Sequence, residues 1–476
     1  MTNSSRGSIV LLVIVFGGVF FTILVALSGF VLAQSHAQDI ARERAEAFSI
    51  AEAGLEYYRW FLSHFPGNTT DGTGHAGPYT SSYADPEGGT IGTYALSVVG
   101  NSSCGTVQSI DVTSAGTPTD GPGVSSTLVA RYAAPSVAAY SYIIGSSVWA
   151  GADRIINGPY HSNGGVRMDG TANAPVSSSL STWDCTSNFG CSPEQKTAPG
   201  VVGTGGNQSL WTYPTPQVDF AGIAANFSSL KTTAQASGIY LPRYSTNTDP
   251  HLGYHLIFNA NGTVTVNRVT SVTTLNNVLP VDNPVAYVND YTLINTQSFY
   301  ETYTLPSNCG LIFVEDNTWI EGTIPEKVTV VAADVADQGV YPDIVLHGNI
   351  VYGATDGSDG LTVIGAHDIL IAPDSPNTMT LDGIFVAQSG AFGRNYYYYP
   401  SGGCTGLYEP RNMLTIFGTT VSNLRTGTAW ENGCGSGSNA GYQTRVDAFD
   451  RQNAGNPPPF TPTTSTQWQF VSWRQE

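Results

Sequence analysis

The chain has 476 residues, of which 18 are Lys or Arg and 36 are Asp or Glu, which gives a formal net charge of −18 at pH 7. A chain of this length can bury a large core, so peptide hormones and small stapled toxins are excluded. The shortage of cations argues against nucleic acid as a partner, because phosphate binding requires clustered Lys and Arg. The 53 Gly, 27 Pro and 25 Tyr indicate short strands joined by turns.

An uncharged apolar run extends from Ile9 to Ala33. About 25 helical residues at 1.5 Å each exceed a ~30 Å hydrocarbon layer, so this run predicts a membrane span within residues 8–34. A cleavable secretory signal is the alternative, but its apolar region is only about 7 to 15 residues long. The side chains expected to contact lipid or neighbouring helices are Ile9, Leu12, Phe16, Phe21, Leu24, Leu27 and Phe30.

The apolar pattern continues beyond the span, and no proline occurs before Pro66. Steps of three and four residues predict one helix from about Ser8 to His64, about 85 Å long, with an amphipathic second half at 35–65. A helix that is apolar all round and then amphipathic can pass from a bilayer into a bundle of similar helices. The predicted packing stripe of the second half consists of Ile40, Phe48, Ala51, Leu55, Tyr58 and Leu62.

Two segments, RGSIVLLVIV at 6–15 and RERAEAFSIAEAGLEYYRWFL at 42–62, resemble the start of PilX-type type IV pilin-like proteins. The resemblance implies a leader at 1–7 that a prepilin peptidase removes between Gly7 and Ser8. It also implies that the helix assembles with other pilins or pseudopilins. Leu12 stands at the fifth mature position, where major pilins carry a glutamate that sets the register with a neighbouring terminal amine.

Three alternating segments, 94–99, 109–114 and 127–132, predict an antiparallel sheet within residues 66–135. In the pilin-like family such a sheet packs on the second half of the helix. Its expected buried face consists of Tyr94, Leu96, Val98, Ile110 and Val112.

Residues 136–400 contain a loose repeat of apolar segments around a glycine, as in WIEGTI at 319–324, VLHGNI at 345–350 and TLDGIF at 380–385. The spacing is irregular, which a parallel β-helix with turns of varied length accommodates. A β-sandwich is the alternative, but its hairpins should carry two-residue Asn-Gly or Asp-Gly loops. The expected fold class is therefore α+β and mostly β, with a long N-terminal helix, a small antiparallel sheet and a large β-helix-like domain.

Residues 401–476 are predicted to form a C-terminal cap. The PPPF turn and the closing segment with Trp468, Phe470 and Trp473 resemble the end of large PilX-like proteins. We expect this segment to form a final strand that covers the open end of the solenoid.

No intact nucleotide or metal motif occurs in the sequence, and no nucleophile elbow is found. His161, His347 and His367 are spaced like isolated strand or turn residues. The acids Asp356, Asp359, Asp368 and Asp382 could serve a polysaccharide-cleaving β-helix enzyme, but TDGSDGL is a turn sequence in which Asp caps backbone amides. Ca²⁺ at Asp356 and Asp359 is an alternative for the same turn. Otherwise we expect no cofactor.

Six cysteines in Gly/Ser/Asn-rich loops indicate disulfides in an oxidising compartment. Among 15 possible connectivities, proximity favours Cys185 with Cys191; Cys404 with Cys434 would close a longer loop, and Cys104 and Cys309 remain by elimination. The run Tyr396, Tyr397, Tyr398 and Tyr399 could form an exposed adhesive patch or pack against a cap.

The function predicted is that of a non-enzymatic minor-pilin-like protein, in pilus assembly, in priming or in adhesion at a filament tip. We expect a single pass through the cytoplasmic (inner) membrane, with the bulk of the chain extracytoplasmic, on a pilus or the cell surface. The expected partners are other pilins or pseudopilins, the inner membrane and a surface glycan or protein. A pseudopilin of a secretion machine and a membrane-anchored polysaccharide-binding or polysaccharide-active β-helix protein are the alternatives.

Overall fold

The computed structural model describes residues 5–65, 67–223, 225–336, 341–397, 408–431 and 439–476. The chain divides into two compact units. The first, here called the stem unit, comprises Met1–Asn101, Ser109–Ala133 and Gln469–Glu476. The second, the coil unit, comprises Ser102–Gln108 and Ala134–Trp468. The expected fold class is confirmed, since a long N-terminal helix precedes a large β-rich region.

The α-helices of the described residues are α1 (Ser5–His64), α2 (Phe220–Ile223), α3 (Phe227–Ser237) and α4 (Arg451–Gly455). Short 3-10 helices occupy Val137–Ala139, Ser187–Phe189 and Gln208–Leu210. The first strands are β1 (Tyr79–Ala84), β2 (Thr90–Ser103), β3 (Thr106–Pro118), β4 (Ser126–Ala133), β5 (Tyr142–Ile144), β6 (Val148–Ala150), β7 (Arg154–Asn157), β8 (Tyr160–Ser162), β9 (Val166–Met168), β10 (Thr171–Ala172), β11 (Val176–Ser178), β12 (Thr182–Cys185), β13 (Gln195–Pro199), β14 (Val201–Val202), β15 (Trp211–Thr212) and β16 (Ile239–Leu241).

The remaining strands are β17 (Gly253–Asn259), β18 (Thr263–Leu279), β19 (Val288–Thr304), β20 (Leu311–Val314), β21 (Asn317–Ile324), β22 (Lys327–Ala332), β23 (Ile344–Tyr352), β24 (Gly360–Gly365), β25 (Ile369–Ile371), β26 (Thr378–Ala387), β27 (Phe392–Gly393), β28 (Tyr396–Tyr397), β29 (Arg411–Ser422), β30 (Ala429–Trp430), β31 (Ala440–Ala448) and β32 (Gln469–Gln475). Most coil-unit strands belong to one extended sheet, while β12 with β13 and β6, β9 with β14 form two small ones.

The predicted helix is present as α1, with its start three residues before Ser8. Its second half packs on the five-stranded sheet of the stem unit, whose order is β1-β2-β3-β4-β32. The buried residues of the helix recur at three- and four-residue steps, as helix geometry requires for residues on one face. It consists of Ala47, Ile50, Ala51, Gly54, Leu55, Tyr58, Phe61 and Leu62.

Two predicted stripe residues differ from this pattern. Ile40 is 41% exposed, because the burial of α1 begins only at Ala47. Phe48 is half-buried, and its ring lies 6.4 Å from that of Trp473. On the sheet, Tyr94, Leu96, Ile110 and Val112 are buried as expected, while Val98 is half-buried.

Glycines allow helix and sheet to approach closely. A Cβ atom at Gly116 on β3 would lie 2.3 Å from the carbonyl oxygen of Ala47 and 2.5 Å from the amide nitrogen of Ala51. A Cβ atom at Gly54 would lie 2.3 Å from Ser114 Oγ. The sheet therefore rests directly on the backbone of α1 at these points.

The closing strand differs from its prediction. β32 pairs antiparallel with β4, with Phe470 opposite Tyr132 and Trp473 opposite Ala130. It completes the small sheet, so the expectation that it covers a solenoid end is wrong. The predicted cap is also wrong in its first part, because β29 and β31 continue the parallel pairing of the coil unit. β29 buries apolar residues such as Leu414 and Ile416, whereas β31 buries Tyr442 together with Arg445 and Asp447.

In the coil unit, strands pair in parallel with strands one turn of the chain later, as a β-helix requires. One ladder runs β20, β22, β24, β26, β29 and β31, and a second runs β17, β21, β23 and β25. Residues in register stack as apolar rows. Ile312, Val330, Val363 and Phe385 form one row, and all four are fully buried.

The order of strands in the coil unit differs from their order in the sequence. β5, β8, β11 and β15 stack first, and the chain then passes through α2 and α3 to β16. The later strands stack until β29 pairs with β5 and β31 pairs with β7. The chain therefore enters the stack at an internal position, and its last strands join its first.

A long hairpin, β18 with β19, interrupts the stacking between β17 and β20. The start of β18 pairs with β17, and its end pairs with β28 through Val278 and Leu279. The hairpin covers part of the outward face of β17 and β21, since Trp319 donates a hydrogen bond to Thr292 O at 2.6 Å.

Candidate functional site

The first half of α1 carries the residues predicted to contact lipid or other helices. Each of them is between 45% and 67% exposed in the chain, namely Ile9, Leu12, Phe16, Phe21, Leu24, Leu27 and Phe30. Among the described residues, α1 is the helix long and apolar enough to span a membrane. Gly7 and Ser8 lie within its first turns, and cleavage between them stays a prediction.

Two disulfides join described residues of the coil unit. Cys185 and Cys191 close a short loop with a Cα–Cα distance of 5.7 Å. Cys104 is joined to Cys309 across 205 residues, with a Cα–Cα distance of 4.5 Å. Cys404 and Cys434 lie outside the described residues.

A cavity of about 540 Å³ lies at one edge of the coil unit. Its wall includes Asn317, the first residue of β21, and Asp343 and Asp368, which immediately precede β23 and β25. The start of β19, with Asp290 and Tyr291, faces this wall. Parallel stacking thus brings together polar residues that are distant in the sequence.

Asn317, Asp343 and Asp368 form a ladder of hydrogen bonds along the wall. Asn317 Oδ1 accepts from Asp343 N at 3.0 Å, Asp343 Oδ1 accepts from Asp368 N at 3.1 Å, and Asp368 Oδ1 accepts from Ala391 N at 2.7 Å. Each side chain caps the backbone of the next coil. The ladder therefore has a structural role and also places two carboxyl groups beside the cavity.

The charged side chains that line the cavity are acidic, namely Asp282, Asp290, Asp343 and Asp368, and His367 contacts Asp343. Burial, and after it the neighbouring Asp343 carboxylate, raise the pKa of Asp368 to about 7, while His367 opposes the shift. The 2.7 Å contact between His367 Nδ1 and Asp343 Oδ1 raises the pKa of His367 to about 9. Near neutral pH the Asp368 carboxyl in the wall is thus partly protonated, and His367 is positively charged.

The other side of the cavity contains aromatic rings. His251 stacks on Tyr291 with ring centroids 3.6 Å apart, and the side chain of Tyr341 is 72% exposed. Asp290 accepts a hydrogen bond from Asn395 Nδ2 at 2.8 Å. Rings beside hydrogen-bonding groups suit a polar ligand with apolar faces, such as a sugar.

The acids considered in the sequence do not converge on this cavity. Of the four, only Asp368 lines it. Asp382 Oδ2 accepts from Tyr352 N at 2.9 Å, and Asp359 Oδ2 accepts from Ala354 N at 2.5 Å. Asp356 Oδ1 accepts from the amide and hydroxyl of Ser358. Asp356 and Asp359 thus make the turn contacts expected of them, and Ca²⁺ binding there stays a prediction.

The predicted tyrosine patch is wrong for Tyr397. Its side chain is 7% exposed, and its hydroxyl lies 3.3 Å from Asp290 Oδ2. Tyr396 is half-buried, with its ring 5.7 Å from that of Trp430. Pairing of β28 with β18 buries this segment. Tyr398 and Tyr399 lie outside the described residues.

The description of His347 and His367 as isolated is also wrong. His367 contacts Asp343, and His347 lies beside Glu321 and His255. The repeated words DIVL at 343–346 and DILI at 368–371 are the sequence signal that could have aligned Asp343 with Asp368. His161 does agree with a buried structural residue, since it is 3% exposed and contacts Ser177 and Asn163.

Comparisons with known proteins do not assign a family to this chain. No family model matches the chain, and no curated protein matches it. The solved structure of the competence-associated pilin ComZ from Thermus thermophilus is similar at 13% identity, over 91% of this chain and 97% of that chain, with a TM-score of 0.30. A TM-score this low supports no inference about this chain.

Proposed function

We propose that the chain is a minor-pilin-like component of a type IV pilus or related filament, anchored by α1 in the cytoplasmic membrane before assembly. The observation that carries the proposal is the division of α1 into two halves. Its first half is apolar and exposed, and its second half is buried by the small sheet from Ala47 onward. An exposed apolar helix requires lipid or neighbouring apolar helices as its surroundings.

The sequence segments support the same proposal. The stretch at 42–62 that resembles PilX-type proteins is the half of α1 that packs on the sheet. The coil unit, at 134–468, is large for a subunit repeated along a filament shaft. A tip or priming position follows for this chain, and a pseudopilin of a secretion machine is the rival.

Adhesion is the proposed output, with a surface glycan as ligand of the cavity. The supporting observation is a cavity lining that combines the carboxyl groups of Asp343 and Asp368 with the stacked rings of His251 and Tyr291. Such donors, acceptors and rings match sugar hydroxyls and sugar faces. Binding without turnover is the expected activity.

The filament proposal is tested by the mass of the N-terminal peptide from mechanically sheared surface filaments, compared with the same peptide from membranes. A peptide that begins at Ser8 in the sheared fraction supports it. The Gly7→Asp variant should keep its intact N-terminus and should be absent from the sheared fraction. Gly17→Ala is the control, because a Cβ atom there meets nothing within 4 Å. An intact Met1, found only in membranes, would overturn the proposal.

The adhesion proposal is tested separately on a glycan array with the detergent-solubilised chain. Asp343→Asn should reduce binding at least tenfold, while Asp356→Asn should leave it unchanged. Release of sugar products from a bound glycan would favour the enzyme alternative.

A further inference from the structure

We propose that His255, Glu321 and His347 form a binding site for a divalent transition-metal ion of the zinc type. The three residues belong to β17, β21 and β23, which pair in parallel one after another. Their side chains face away from the apolar row that contains Ile320 and Leu346, because successive residues of a strand point to opposite faces. Stacking of three coils thus gathers residues that lie 66 and 26 positions apart.

The distances fit a small cation. His255 Nε2 lies 3.1 Å from Glu321 Oε1, and His347 Nδ1 lies 3.4 Å from the same oxygen. One ligand atom from each residue falls within 4.8 Å of the other two. Zinc bonds of about 2.0–2.1 Å in a tetrahedron place neighbouring ligand atoms about 3.3 Å apart. The two shorter separations are therefore close to those of a tetrahedral site.

The orientation of His255 points to a cation between these groups. The side chain is only 1% exposed, and its Nδ1 lies 2.8 Å from Gln297 Oε1, an oxygen that can only accept. Nδ1 therefore carries the proton, and in the neutral ring Nε2 presents a lone pair to the Glu321 carboxylate. His255 Nε2 and His347 Nδ1 both face Glu321 Oε1, at 3.1 and 3.4 Å, without the alignment of a regular hydrogen bond. Buried acceptors that face one another are costly unless a proton or a metal ion lies between them.

The surrounding residues would hold the ligands in place. Gln297 fixes the tautomer of His255, as outer partners of metal-binding histidines do. Asp374 Oδ2 lies 3.7 Å from His347 Nε2, on the side of the ring opposite Glu321. Gly348 leaves room for the Glu321 carboxylate, since a Cβ atom there would lie 2.0 Å from Oε2.

The donor set of two imidazoles and one carboxylate suits Zn²⁺ better than Ca²⁺ or Mg²⁺, which take oxygen ligands. Three protein ligands leave a fourth position open. Solvent can reach it, because the side chains of Glu321 and His347 are 28% and 24% exposed. A water molecule or a donor from a partner could occupy this position.

The test measures zinc bound per chain after equilibrium dialysis of the full-length protein in detergent, first stripped with a chelator and carrying no histidine tag. Wild type should retain one zinc ion at micromolar free metal. Glu321→Gln keeps the shape of the side chain and should weaken zinc binding at least a hundredfold. Gly348→Ala and Gln297→Leu replace no ligand but disturb the positions of Glu321 and His255, and each should weaken zinc binding about 10- to 100-fold.

The control is His367→Gln, which alters the other cluster of histidine and carboxylates, formed with Asp343 and Asp368. This variant should bind zinc as wild type does. Cobalt should give the visible bands of a tetrahedral site in wild type and not in Glu321→Gln, and the unfolding midpoint of each metal-free variant shows that it is folded. Absence of zinc from wild type, or zinc lost in His367→Gln and retained in Glu321→Gln, would overturn the proposal. In that case a protonated histidine, and not a metal ion, would neutralise the Glu321 carboxylate.

Discussion

Arg154 and Asp447 form a buried ion pair although 293 residues separate them in the sequence. The Nη2–Oδ2 distance is 2.5 Å, and the two side chains are 5% and 3% exposed. They lie on β7 and β31, which pair in parallel. The hydroxyl of Tyr142 donates to Asp447 Oδ1 and accepts from Arg154 Nη2, both at 2.7 Å. The network thus lies where the last coils join the first.

Asp447→Asn should lower the free energy of unfolding of the coil unit by about 3–5 kcal/mol, because it leaves the buried Arg154 charge without its partner. Urea unfolding of the detergent-solubilised chain measures the loss. Arg474→Gln is the control: its contact with Glu476 joins side chains that are 74% and 51% exposed, so we expect less than about 1 kcal/mol. Equal effects of the two variants would contradict the proposed importance of this junction.

Gly116→Ala should destabilise the stem unit by about 1–3 kcal/mol, because the new Cβ atom would overlap the backbone of α1 at Ala47 and Ala51. Hydrogen exchange of the amides of α1 from Ala47 onward should become faster. Gly123→Ala is the matched control, since a Cβ atom there meets nothing within 4 Å. Unchanged exchange in Gly116→Ala would show that the sheet can move away without cost.

Asp368 should make the free energy of unfolding of the coil unit depend on pH. The pKa of Asp368 is about 7 in the fold and about 4 in an unfolded chain. Between about pH 4 and pH 7 the folded state therefore binds a proton that the unfolded state has lost. Its stabilising contribution is complete below about pH 4 and is lost as the pH rises to about 7. The charged groups that act on it are Asp343, His367 and Asp282.

The measurement compares Asp368→Asn with wild type in urea unfolding between about pH 4.5 and 6.5, below the range in which His367 loses its own stabilising proton. The variant should gain on the order of 2–3 kcal/mol relative to wild type across this window. Asp356→Asn should show no such trend, because hydrogen bonds from Ser358 lower the pKa of Asp356 and confine its titration to more acidic pH. A flat difference for Asp368→Asn would refute the raised pKa.

The two disulfides should differ in their contributions to stability. Closing a loop removes more entropy from the unfolded chain when the loop is longer. The separations of 205 and 6 residues correspond to about 5 and about 2 kcal/mol. Replacing Cys104 and Cys309 by Ala should therefore lower the urea midpoint more than replacing Cys185 and Cys191. The reverse order would mean that the unfolded chain is already compact around Cys104.

The parts of the fold that sequence predicted well depend on local patterns. The steps from Ala51 to Leu55, Tyr58 and Leu62 predicted the buried side of α1, because helical periodicity is a property of neighbouring residues. The extent of burial could not be predicted, since the exposure of Ile40 depends on where the sheet ends. For the same reason the location predicted for the strand with Trp473 was wrong, because pairing between distant strands is not encoded in either strand alone.

The candidate site was predicted only in part because stacking depends on coil length. Asp343 and Asp368 lie one coil apart, with backbones paired through Ile344 and Ile369. His255 is displaced from Glu321 by the inserted hairpin β18–β19, which hides the alignment of their strands in the sequence. A histidine and a carboxylate 66 residues apart therefore give no recognisable metal-ligand spacing.

The pairing of β29 with β5 and of β31 with β7 bears on how the protein is made. β5 is synthesised early, yet its partner Val421 follows nearly three hundred residues later, so this part of the stack cannot be completed until most of the chain has been synthesised. Until then the edges of β5 and β7 are open to other strands. Contacts between such distant segments also slow folding. A truncation before residue 411 would therefore leave these edges permanently unpaired and prone to aggregation.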